Sequence, residues 1–99
     1  MNKADFEVLD LVNKTRIFYF NERVRIDEAV NFIKGFPNPI RLSDKAILIY
    51  NDSDKDLEGN SLEINDAASQ ILQDYKGSAK IVKGNALILM NQELWDWVD

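Results

Sequence analysis

Apolar and polar positions alternate at helical spacing most clearly between residues 65 and 77. Ala68, Ile71, Leu72 and Tyr75 fall at i, i+3, i+4 and i+7, behind Asn65 or Asp66 as a cap and ahead of Gly77 as a stop. This stretch predicts an amphipathic helix. Ala46-Ile47-Leu48-Ile49 does not alternate, so Lys45–Tyr50 predicts a strand buried on both faces. Phe6, Leu9 and Val12 are also at helical spacing, and residues 4–13 are read as a helix, although Phe6/Val8 and Leu9/Leu11 fit a strand as well.

Thr15–Ile26 mixes apolar and charged residues badly as one strand. Folded as a hairpin at Asn21-Glu22, its parity becomes consistent: Ile17, Tyr19, Val24 and Ile26 share one side, and Arg16, Phe18, Phe20, Arg23 and Arg25 the other. Asp27 then caps a short helix carrying Ala29, Val30 and Ile33. Gly35 ends that helix, with Phe36 placed for the apolar contact that often follows a glycine C-cap, and Pro37 and Pro39 forbid its continuation. Asn51–Asn60 reads as an acidic loop. Ala79–Lys83 and Ala86–Met90 flank Gly84-Asn85, a two-residue hairpin signal, and Asn91 starts a last turn or two over Gln92–Val98. The predicted order is α-ββ-α-β-α-ββ-α. It describes one small α+β domain over residues 1–99, with a mixed sheet of about five strands and helices on at least one face.

Composition changes the picture chiefly by what is missing. The chain has no histidine and no cysteine. That removes the usual proton carrier near neutral pH, the thiol nucleophile and most zinc ligands. The remaining carboxylate pairs, Glu58/Glu63 and Asp66/Asp74, have no spacing that lifts them above surface charge. Ser43, Ser53, Ser61, Ser69 and Ser78 have no visible base partner. No catalytic residue and no cofactor is assigned, and the chain reads as a non-enzyme. Neither a secretory signal core at the N-terminus nor an apolar run long enough for a bilayer is visible, so a cytoplasmic location without membrane contact is expected. The usage of Asn, Ile, Lys and Asp reads as a low-GC coding bias, that of a bacterium or its phage.

The net charge of −5 is unevenly spread. Residues 14–45 carry seven basic against four acidic side chains, and residues 46–74 one against seven. A polarised surface of this kind orients a partner, while the net sign argues against general nucleic-acid binding. Three partner surfaces are candidates. Asp52, Asp54, Asp56, Glu58 and Glu63 would imitate phosphate or cover a basic protein surface. Arg16, Phe18, Phe20, Arg23 and Arg25 combine charge with rings, as hot spots do, unless a helix covers the phenylalanines. Trp95 and Trp97 would point about 160° apart on a helix, leaving Trp97 as a contact.

Asp52, Asp54, Asp56 and Glu63 also occupy positions 1, 3, 5 and 12 of a calcium-loop pattern. Leu57 stands where that loop needs glycine, so a plain solvated loop competes with the metal reading. The leading expectation is a small acidic protein that occupies a protein partner with a basic surface, as a phage-borne anti-defence inhibitor or an immunity protein does. The alternative is an assembly subunit that self-associates through a sheet edge or the Trp95/Trp97 tail, and the third reading is a calcium-responsive module.

Overall fold

The computed structural model describes residues 4–9, 13–21 and 24–90, with Phe6 described by its backbone alone. It is a single α+β domain built on a five-stranded mixed sheet. The strands are β1 (Phe6–Leu9), β2 (Arg16–Phe20), β3 (Pro37–Ser43), β4 (Ala46–Asn51) and β5 (Ala86–Met90), and the helices are α1 (Ile26–Ile33) and α2 (Asp66–Lys76). The sheet order is β1-β2-β5-β4-β3. β2 and β5 run parallel, and every other pair is antiparallel.

Strand parity divides the interior into two cores. Ile17, Leu48, Tyr50, Ala86 and Ile88 face α2, where Ala68, Leu72 and Val82 meet them. Phe20, Ile47, Ile49, Leu87 and Leu89 face α1, where Val24, Ala29 and Ile33 meet them. One helix therefore lies on each face, which is why β4 and β5 read as continuous apolar runs. The predicted helix over 65–77 forms as expected. The Asn65 side chain accepts from the Ala68 amide at 3.0 Å, and Gly77 closes the helix at φ 63°. Asn65 is itself buried and donates to the carbonyls of Arg16, at 3.1 Å, and Gly84, at 2.9 Å. One side chain thus ties the start of α2 to β2 and to the turn that leads into β5.

Five local expectations are corrected. Residues 6–9 form a strand, pairing Phe6 with Tyr19 and Leu9 with Arg16; both periods fit so short a run, and the exposed edge of β2 decides for the strand. Thr15–Ile26 is not a hairpin. Val24 turns into the core beside Phe20, and the chain enters α1 at Ile26. Arg25 is the N-cap and makes no side-chain cap bond, while Asp27 sits inside the first turn. Gly84-Asn85 joins no hairpin either. Residues 79–82 are irregular, Lys83 makes an isolated bridge to Ile64, and β5 inserts between β2 and β4. Finally, β3 forms through the two prolines, as the sheet's edge strand, where a missing N–H costs least. The expected last turn over 92–98, with Trp95 and Trp97, lies outside the described residues.

Candidate functional site

The acidic segment is drawn together by its own bonds. Asp56 Oδ1 accepts from the amides of Glu58 and Asn60, each at 2.9 Å. The Asn60 amide bond is the main reason that its carboxyl is held below the ordinary value of 3.8. Asp52 pairs with Lys80 at 2.9 Å, and Asp54 with Lys83 at 3.2 Å. Lys80 also lies 5.3 Å from the centre of the Tyr50 ring, and its pKa is raised, first by Asp52 and then by Tyr50. The lysines come from residues 78–85, outside the stretch whose charge looks so one-sided in sequence.

The calcium pattern does not assemble. Asp52 and Asp54 are directed at lysines and Asp56 at its own loop. Among the described residues no three acidic side chains form a group that could hold a metal ion. Glu63 is exposed and contributes its backbone carbonyl, which accepts from Gly84 at 2.7 Å. The other polar candidates also carry structural bonds. Asp66 accepts from Asn13, Asp74 accepts from Gln70 at 2.8 Å, and Ser69 Oγ accepts from the Val82 amide at 2.8 Å.

The arginine–phenylalanine face is divided by the fold. Phe20 is 1% exposed and fills the core under α1, out of a partner's reach. Phe18 is half-buried, with its ring 4.8 Å from that of Phe32, which also meets Phe20 at 5.3 Å. The parity inferred for Phe18 and Phe20 holds, and α1 is the helix that covers them, with Ala4 packed against the same core. Arg16 pairs with Glu7 across β1, and Arg25 pairs with Asp27 at the start of α1, each at 3.3 Å. Arg23 and Trp97 lie outside the described residues.

A different surface comes together where α1 ends. The Lys34 amide closes the helix onto the Val30 carbonyl at 2.8 Å, and Lys34 itself is left-handed at φ 58°. The glycine expected in that conformation comes one residue later. Gly35 is required there because a Cβ would run into the Asn51 side chain. This turn throws Phe36 outward, 76% exposed, in place of the expected apolar contact. The Lys34 carbonyl accepts from the Leu57 amide at 3.0 Å, which pins the tip of the acidic loop to the same turn with Leu57 58% exposed. Between the last turn of α1 and the loop tip lies a cleft of about 320 Å³ lined by Val30, Asn31, Lys34, Asp56, Leu57 and Glu58.

β3 borders this corner. Pro37 and Pro39 have no N–H, so the ladder donors of β3 come from the alternate positions Asn38 and Ile40, and the two proline carbonyls face the outer edge. Neither Phe36 nor Leu57 stands out in sequence: one precedes a proline after a helix, the other interrupts an acidic run. The one local signal was the pair Lys34-Gly35, in which the glycine serves Asn51 and the lysine takes the strained conformation. No protein-family model, curated protein or solved structure matches the chain.

Proposed function

We propose that this chain is a small non-enzymatic binding protein that acts by occupying a protein partner, in the manner of an inhibitor or an immunity protein. The observation that carries the reading is the pair Phe36 and Leu57. Both large apolar side chains stand exposed, Phe36 two residues beyond the Lys34 turn and Leu57 at the tip of the Asp56-centred loop, whose amide bonds to the Lys34 carbonyl. Rigid, exposed apolar anchors beside a cleft are what a hot spot needs, and without a partner they are a liability. The engagement of Asp52 and Asp54 by lysines moves the reading away from phosphate mimicry by the whole segment 52–66. The reading would place the contact at the corner of α1, β3 and residues 56–58.

Affinity capture from the native host tests it as a comparison between variants. A partner retained by wild type and by Asp52→Asn/Asp54→Asn, but lost by Phe36→Ala with an unchanged melting temperature, supports the corner. Equal capture by Phe36→Ala removes it. A second reading, assembly through a sheet edge, is favoured by β1. Its outer edge has no strand partner among the described residues, and Val8 and Leu9 are 42% and 41% exposed. Native mass of the same preparation separates the two, since a monomer fits the binding protein and a closed oligomer broken by Val8→Lys fits the assembly unit.

A further inference from the structure

Building on the binding reading above, we infer that the corner takes a cationic side chain of its partner, an arginine or lysine laid in the cleft beside an apolar pocket that receives Phe36. Three separate features point to that chemistry. First, the cleft pairs apolar walls with acid. Val30 and Leu57 suit the methylene stem of a long cation, while Glu58 supplies the accepting carboxylate and Asp56, held by its own loop, adds negative charge against the single charge of Lys34. Second, the fold concentrates uncompensated charge at this spot. Asp52 and Asp54 have lysine partners, whereas Glu58 has no ion pair among the described residues. Third, the outer edge of β3, which follows Phe36 directly in the chain, offers acceptors without matching donors at Pro37 and Pro39. Such an edge rejects an added strand, which needs both, but suits a side chain that only donates, as guanidinium and ammonium groups do. The contact therefore runs through side chains, and neither strand addition nor an acidic partner fits it.

The probe is N-acetyl-Leu-Arg-Leu-amide, titrated at millimolar concentration into the 15N-labelled full chain. Its twins carry citrulline or glutamate in place of arginine. Amide shifts of Val30, Asn31, Lys34, Leu57 and Glu58 should move and saturate with the arginine peptide. They should respond roughly tenfold more weakly to the neutral citrulline twin, the scale of one lost charge-assisted bond. Glu58→Gln, whose fold is checked by its amide dispersion, should show the same weakening, and Lys34→Ala should not. Shifts that never saturate, that are equal for the three peptides, or that fall elsewhere overturn the inference. If the arginine preference is missing while Phe36-dependent capture from the host persists, the cationic contact is wrong and the binding reading stands. If capture is indifferent to Phe36 while the peptide still saturates at Glu58, the reverse holds.

Discussion

At the scale of the residue, Asp56 organises the loop that Leu57 caps. Its carboxylate accepts from two amides and from the Asn60 side chain. Because its folded pKa is lowered, the bonds are present at neutral pH and are lost as pH falls through that depressed value. The amides of Glu58 and Asn60 should therefore titrate together, with a midpoint below 3.8, in a pH series followed by NMR. Asp56→Asn should abolish that step and loosen the loop at neutral pH. A midpoint at or above the ordinary carboxylate value would mean that the bonds are not made. The same logic shows what an acidic spacing leaves out: it counts charges, but not the amides and lysines that engage Asp52, Asp54 and Asp56.

At the scale of the element, α1 decides what β2 can show. Phe20 lies under it against Phe32 and Ala29. Phe20→Ala should cost about 3–5 kcal/mol, a large share of the stability of so small a domain. Phe18→Ala should cost less, because that ring keeps one side at the surface. Urea midpoints of the two variants measure both, and equal small losses would place β2 outside the core. The elements legible in the chain were those whose signals are local and agree with one another. In α2 the cap, the stripe and the closing glycine all concur. β4 declares itself by an unbroken apolar run, and the parity of β2 was readable for the same reason. The elements misread were settled by partners far along the chain. Four residues of β1 satisfy both periods until β2 offers an edge. The prolines of β3 signal a break, yet at the rim of a sheet they cost nothing inward. Gly84-Asn85 has the composition of a hairpin turn, but Val82 is wanted under α2 and Asn85 is claimed by the Arg16 amide at 2.9 Å. Phe36 and Leu57 escaped notice because the turn that exposes Phe36 and receives the Leu57 amide runs through a left-handed lysine, a conformation that composition does not announce.

At the scale of the whole molecule, the sheet is two antiparallel pairs joined by one strand. β1 with β2 and β3 with β4 are neighbours in sequence as well as in space, and β5 alone connects them. Its residues Ala86, Leu87 and Leu89 are fully buried, and both cores include it. A chain ending at residue 85 should therefore lack a cooperative thermal transition, since isolated hairpins are marginal in water. A synthetic peptide of residues 86–99 added in trans should restore that transition. A truncated chain that melts cooperatively by itself would show that the halves do not need their connector.

The position of β5 also has a consequence during synthesis. Arg16 and Asn85, which bond across the parallel pair, are 69 residues apart in the chain. At ~5–20 residues per second the ribosome takes several seconds to span that interval. Over that interval β2, and from about its midpoint β4 as well, is made but still lacks the strand that joins the two, so Ile17 and then Ile47 and Ile49 await their core partners. Unpaired strand edges and uncovered apolar surface are where a growing chain is open to aggregation, so slowing translation between residues 51 and 86 should raise the insoluble fraction of the protein, as read from the soluble-to-pellet ratio.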